Sequence, residues 1–228
     1  MVQAFKRLAS RLPSRYQQEL KRLHFGRQIT RGTFTTAEED DREYDRLQAW
    51  VKPGDWVLDI GANVGNYTAR LSQLVGPRGR VLAMEPVPET FELLTGNLAR
   101  FPLRNVSLFN VAASNRIGLA GMSVPKLETG LENRYMARLS DIDSTFDVLC
   151  LPVDAFDLAA PVRFVKIDVE GHELQALQGM RNLLARDHPV LVVEGRSAEV
   201  AMFLAELGYS YEQAERSPNR VFSPGKTP

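Results

Sequence analysis

Apolar positions Phe5, Leu8, Leu12, Tyr16, Leu20 and Leu23 recur at helical spacing, and Pro13 divides the run into a pair of amphipathic helices. From residue 38 the pattern changes. Short apolar runs alternate with amphipathic stretches, which predicts strands and helices in turn around a mostly parallel sheet, an α/β fold. A helix over 38–51 stops before Pro53-Gly54, and Trp56–Ile60 reads as a buried first strand running straight into a glycine loop. A helix over 66–75, a strand over 80–84, a helix over 88–99 with Pro88 in its first turn and a strand over 106–110 complete a βαβαβ half. Residues 115–146 are mixed and polar and too long for a simple connection, so small strands or a functional cap are expected there. Regularity resumes with a run over 148–153, a strand over 162–168, a helix over 172–185, a strand over 190–194, a helix over 197–207 and a final pair near 209–213 and 220–223. The expected organisation is therefore a helical extension over 1–37, one domain over 38–223 and a tail over 224–228.

Composition supports one domain. The chain has 228 residues, 44% hydrophobic and 25% charged, enough for a sizeable core and far from a disordered profile. No run approaches the roughly 20 apolar residues of a membrane span, and no secretory signal is legible near the N-terminus, which gives a cytoplasmic expectation. The single Cys150 and three histidines exclude an internal disulfide and disfavour a Cys/His zinc site. The net charge of zero conceals an asymmetry: residues 1–31 carry eight Lys/Arg against Glu19 alone, whereas 38–45 carry six acids and one Arg. The expected arrangement is the basic segment docked on the acidic one, with peripheral attraction to anionic lipid as the alternative. No aromatic-rich basic motif points to nucleic acid.

The strongest chemical signal is the loop Asp59-Ile60-Gly61-Ala62-Asn63-Val64-Gly65, between the first strand and a helix. Glycines there let the backbone turn sharply, and the free N–H groups of the helix favour an anion. A dinucleotide site calls for G-x-G-x-x-G, but this loop is G-x-x-x-G with Asn63 where the middle glycine belongs. Asp59 and Asn63 suit an ammonium and the loop amides a carboxylate, the amino-acid end of S-adenosylmethionine. Glu85, at the end of the second strand, is placed to accept hydrogen bonds from both ribose hydroxyls of a nucleoside. The small residues of Asn110-Val111-Ala112-Ala113-Ser114 leave room for an adenine ring. At another strand end, Lys166-Ile167-Asp168-Val169-Glu170-Gly171-His172-Glu173 gathers more ionisable groups than folding requires.

These blocks in this order, D-I-G-A-N-x-G, E-P and K-I-D-V-E-G-H-E followed by L-x-G, resemble the FkbM-type methyltransferases over roughly residues 38–195. The resemblance implies a Rossmann-like class I methyltransferase sheet of seven strands in the order 3-2-1-4-5-7-6, with helices on both faces. It also implies S-adenosylmethionine as methyl donor and O-methylation of a hydroxyl on a sugar, glycolipid or polyketide-type acceptor. Carried onto this chain, Gly61, Asn63, Gly65, Glu85 and Ala112 fall on cofactor positions, and Asp168, Glu170 and His172 on the catalytic turn. The first 37 residues and the 115–146 segment match no part of that pattern.

The chemistry implied is in-line displacement on the sulfonium methyl. His172 is the first choice for general base because an imidazole of ordinary pKa, about 6.5, suits neutral pH. Asp168 and Glu170 then orient it or bind the hydroxyl, and Asp168 also lies near the sulfonium. A divalent cation held by Asp168, Glu170 and Glu194 is a secondary reading and is not expected. Within 115–146, Tyr135 and Met136 are candidate acceptor contacts. Two other classes share parts of the signal: a nicotinamide-dependent oxidoreductase, which Asn63 opposes, and a cofactor-binding protein without catalysis, which has no use for Asp168, Glu170 and His172. Acceptor identity and oligomeric state are not legible.

Overall fold

The computed structural model describes residues 12–35, 41–102, 104–125, 133, 136–140, 144–213 and 217–225. Its main sheet has seven strands in the order β10-β11-β9-β8-β1-β2-β3. These are β1 (Trp56–Ile60), β2 (Arg80–Met84), β3 (Val106–Phe109), β8 (Val162–Ile167), β9 (Val190–Glu194), β10 (Tyr209–Glu212) and β11 (Asn219–Pro224). All pairings are parallel except those of β11 with β9 and β10, so the expected 3-2-1-4-5-7-6 arrangement is the one observed. Successive residues of a strand face opposite layers. Leu58, Ile60, Val165, Ile167, Leu191 and Val193 pack against α5 (Glu173–Gln178), α6 (Arg181–Asp187) and α7 (Ala198–Glu206). Their neighbours Val57, Phe164 and Val192 pack against Leu47 of α2 (Arg42–Trp50) and Tyr67 and Leu71 of α3 (Asn66–Val75). A third cluster joins Phe25 of α1 (Ser14–Arg31) and Phe34 to Leu93, Leu94 and Leu98 of α4 (Pro88–Leu98).

The helix expected over 172–185 is two helices. Gly179 ends α5, and a Cβ there would lie 1.9 Å from the Ser114 carbonyl oxygen, so only glycine allows this approach. The new N-terminus at α6 is capped from a distance, the Asp154 carboxylate accepting from Asn182 and Leu183 N–H, each at 2.9 Å.

Residues 115–146 contribute small strands. β4 (Ala112–Ala113), β5 (Gly118–Ser123), β6 (Arg138–Leu139) and β7 (Phe146–Leu151) form a second sheet in the order β4-β7-β5-β6. Met122, Val148 and Cys150 of its inner face pack on Val87 and Ala112.

Among the described residues, the basic N-terminal segment is not seen docked on the acidic one. Instead α1 lies along α4: Gln18 donates to the Glu89 carbonyl and Arg22 pairs with Glu92. Of the acidic stretch, residues 38–40 lie outside the described residues, while Asp41 and Glu43 are buried beside α3, on the same face of the sheet as α1 and α4. Their role is a different one, described below. Residues 1–11 likewise lie outside the described residues.

Candidate active site

The C-terminal ends of β1, β2 and β8, where ligands bind in open α/β sheets, open into a cleft that is partly open to solvent. Gly61, Asn63, Glu85, Ala112, Asp168, Glu170 and His172 all border it, and Met122, Ala137 and Leu139 close it from the small sheet. Residues distant in sequence thus meet at one place.

On the β1/β2 side, backbone amides fix the geometry. Gly61 and Ala62 N–H both donate to the Met84 carbonyl at 2.9 Å. The Glu85 carboxylate accepts Asn63 N–H on one oxygen at 3.0 Å and Val87 N–H on the other at 2.9 Å. Burial nevertheless dominates and pushes its pKa up to about 7, these two hydrogen bonds offsetting only part of the cost. Such an acid is pre-aimed, poorly solvated and ready to accept further donors.

The loop glycines serve a purpose the sequence did not disclose. Both have positive φ, but a Cβ on Gly61 would sit 1.7 Å from the Asp168 carbonyl oxygen and one on Gly65 would meet Leu94 at 2.7 Å. Gly61 is needed so that the loops after β1 and β8 can cross, and Gly65 so that α3 can pack beside α4. Gly65 does not border the cleft. Neither does Asn110, whose amide donates to the carbonyls of Glu85 at 2.8 Å and Pro86 at 3.0 Å and so braces the segment carrying Glu85.

Asp59 is also displaced from its expected place. Strand alternation puts it on the face of Val57, beneath the loop, where Thr68 of α3 donates to it and burial raises its pKa to about 6. It supports the loop from below instead of lining the cleft.

The β8 side is held by charged side chains. Lys166, buried beside Asp59 in the sheet register, approaches Asp168 at 3.6 Å and donates to Asn219 at 3.2 Å. Burial disfavours its ammonium, but Asp168, Glu194, Asp41 and Asp59 more than compensate and its pKa is raised. Burial likewise opposes ionisation of Asp168, yet Lys166 and a hydrogen bond with Glu194 hold it below its ordinary value. Glu194 bears the consequence. Sharing a proton with Asp168, and partly buried, it is pushed up to about 9 and is the protonated member of the pair. Asn219 continues this network to the start of α2, donating to Asp41 at 3.3 Å and Glu43 at 3.4 Å, while Tyr67 donates to Asp41 at 2.6 Å and Ser217 to Glu43 at 2.8 Å. Asn219 carried no recognisable sequence signal, and Asp41 and Glu43 read only as part of an acidic stretch, because their partners lie on other elements.

His172 borders the cleft just before α5, half-buried, with Nε2 3.0 Å from Ser114 Oγ. Burial lowers its pKa below 6.5, with Arg116 adding to the effect and Glu173 opposing it, so the ring is neutral at physiological pH. The expectation of an unperturbed value is corrected accordingly. Ser114 escaped notice as a partner because its role depends on the loop after β4 reaching α5. Glu170 takes a left-handed φ of 51° in the turn between β8 and α5. The side chains of Asp168, Glu170 and Glu194 can each offer an oxygen within 4.8 Å of the others, a set that could accept a hard divalent cation. Met136 is more than half exposed and absent from the cleft lining, while Tyr135 lies outside the described residues.

This sheet order and cleft define a class I S-adenosylmethionine-dependent methyltransferase fold. The FkbM methyltransferase domain model matches residues 59–211, more than half of the chain, and the chain belongs to that family. Among curated relatives, the hexuronic acid methyltransferase AglP of Haloferax volcanii is 30% identical over 139 residues, covering 60% of this chain and 55% of AglP. The chain thus spans about half the length of that relative. Among solved structures, the FkbM methyltransferase of Methylobacillus flagellatus superposes with a TM-score of 0.55 at 18% identity, over 75% of this chain and 43% of that one. A SAM-dependent O-methyltransferase of Thermotoga maritima gives 0.52 at 15% identity, over 85% of this chain and 68% of that one. At those identities the likeness is one of fold.

Proposed function

We propose that this protein transfers the methyl group of S-adenosylmethionine to a hydroxyl oxygen of a sugar, glycolipid or polyketide-type acceptor. The observation that carries this reading is the meeting, in one cleft, of a pre-aimed acid on the β2 side with a neutral histidine and two carboxylates on the β8 side. The hexuronic acid methyltransferase AglP lends support to the sugar class.

The donor set suits the methyl donor. Glu85, with both oxygens already oriented, is placed to accept the ribose hydroxyls, and Met84, Ala112 and Met122 offer apolar walls to a purine. When bound, S-adenosylmethionine supplies a methyl already attached to a good leaving group. What remains is to position the acceptor oxygen and remove its proton, and orientation can be worth on the order of 7 to 11 kcal/mol. His172, neutral and set against Ser114, would take up the proton of the acceptor hydroxyl. Asp168 and Glu170 would orient the hydroxyl, and the ionised Asp168 would favour a cationic donor in the cleft. Lys166 and the proton shared with Glu194 balance the buried charge. The small sheet, with Met122, Ala137 and Leu139 at the cleft, acts as the acceptor-side cap.

Calorimetry with S-adenosylmethionine and NAD, followed by a screen of hydroxylated sugars, glycolipids and polyketides with methyl-labelled donor, tests the proposal. Expected are binding of S-adenosylmethionine and label on an acceptor oxygen. Micromolar NAD binding with no response to S-adenosylmethionine contradicts it.

A further inference from the structure

Helix α1 has two apolar rows. Phe25 and Ile29 join the core over α4, while Tyr16, Leu20 and Leu23, continued backward by Leu12, face away from it. At roughly 100° per residue, Tyr16, Leu20, Leu23 and Arg27 share a sector about 60° wide, nearly opposite Phe25. These apolar side chains are 49%, 36% and 50% exposed, and Leu12 is 39% exposed. Single exposed leucines need no explanation, but a helix docked by one row ordinarily turns polar residues outward on the other.

Charge surrounds the outward row. α1 contains Arg15, Lys21, Arg22, Arg27 and Arg31 against Glu19, and the preceding sequence adds Lys6, Arg7 and Arg11 with no acid. Arg22 is engaged by Glu19 and Glu92. Arg27, Arg31 and Arg100 instead line a shallow surface groove with Leu23, Gly26 and Thr30.

We propose that the outward face of α1 is a docking surface for an anionic membrane, with Leu12, Tyr16, Leu20 and Leu23 entering the acyl boundary and Arg15, Arg27, Arg31 and Arg100 meeting lipid phosphates. Charge complementarity selects this occupant. Folding residues 1–11 back over the row would set three cations against Arg15, Arg27 and Arg31, and a second copy would oppose the same cationic rows. Nucleic acid would engage the arginines but has no use for a row of leucines. No helix among the described residues is long and apolar enough to cross a membrane, so the contact is peripheral.

The fold gives this surface a direction. Gln18 meets Glu89, Arg22 meets Glu92 and Gly26 packs on Arg100, so α1 runs parallel to α4. α4 begins three residues after Glu85, at the cleft end of the sheet. A bilayer against the row therefore lies alongside the cleft rim, where it can present an acceptor carried by a lipid.

The test is flotation of the full chain with phosphatidylcholine vesicles, with and without phosphatidylglycerol, at low and high salt. Binding to the anionic vesicles alone, weakened by salt, is expected. The double substitution Leu20→Ser/Leu23→Ser should lower partition at least about tenfold, and Arg27→Glu/Arg31→Glu at least about tenfold, with unchanged melting temperature and S-adenosylmethionine affinity. No flotation with anionic vesicles, or flotation indifferent to both variants, overturns the proposal. So does a dimer in ultracentrifugation that the leucine variant dissociates, or nucleic-acid binding that only the arginine variant loses. None of these outcomes bears on methyl transfer, which the calorimetry and the acceptor screen test separately.

Discussion

The two sides of the cleft hold their acids by different means. Around Glu85 the work is done by backbone: amides of the loop after β1 and of the turn into α4 hold the carboxylate, and its raised pKa is the residual cost of burial. Around Asp168 it is done by side chains, with Lys166, Glu194, Asn219, Asp41 and Glu43 distributing charge and protons across four elements. The first arrangement suits recognition of neutral hydroxyls, which requires an aimed acceptor. The second suits a reaction in which charge moves, because fixed neighbouring charges and a shared proton accommodate it.

The largest expected effect falls on the side with moving charge. If His172 takes the acceptor proton, His172→Ala should lower turnover by roughly 100- to 10,000-fold, with donor affinity within a few fold. Activity in the parent should rise through a pH below 6.5, since burial lowers the pKa of the ring. A variant retaining more than about a third of turnover with an unchanged pH profile, against the rate loss a general base implies, would shift the base to Asp168 or Glu170. Next, Lys166→Met removes the only cation placed among Asp59, Asp168 and Glu194 by the described residues, leaving buried acids uncompensated. Urea unfolding should show a loss of about 3 to 5 kcal/mol. A loss below about 1 kcal/mol would mean that proton uptake by the acids replaces the cation, the behaviour of the other side of the cleft.

On the backbone-held side, Glu85→Gln should weaken S-adenosylmethionine binding by about 1.5 to 3 kcal/mol in calorimetry. The same variant exposes a pH linkage. An acid raised from 4.5 to about 7 favours the folded state fully below pH 4.5 and loses that contribution as pH climbs through 7. Parent stability should therefore fall across that window, by up to about 3 kcal/mol from this group, and the glutamine variant should show a shallower slope. Donor affinity should rise over the same window in the parent alone, because the ionised carboxylate is the better acceptor. The smallest effect is expected at Asn110→Ala, which removes two hydrogen bonds to the Glu85 segment. A stability loss of about 1 to 2 kcal/mol in thermal unfolding, with a parallel modest loss of donor affinity, is expected. An affinity loss as large as that of Glu85→Gln would show that the brace, and not only the loop amides, aims the carboxylate.

The elements could be read from sequence where one local pattern decides them. The strands and the α/β alternation follow from apolar runs punctuated by glycine and proline, and Glu85, Asp168, Glu170 and His172 stand at strand ends or in the turn beyond one, where cleft residues must lie. Local pattern misled where a residue answers to a distant neighbour. The break at Gly179 is set by the Ser114 carbonyl, and the loop glycines answer to Asp168 and Leu94.

The sequence by itself determined the order of the main sheet through its family motif, the acid at the end of β2 and the charged turn after β8. These depend on residues adjacent in the chain, whose periodicity and spacing survive in one dimension. Tertiary structure decided that Asp59 lies beneath the loop, that α1 packs on α4, and that Lys166 is compensated not only by Asp168 two residues on but by Glu194 and Asp41 from other elements. Each of these outcomes is a balance of desolvation against pairing, and that balance is fixed only when the chain brings its partners within a few ångströms.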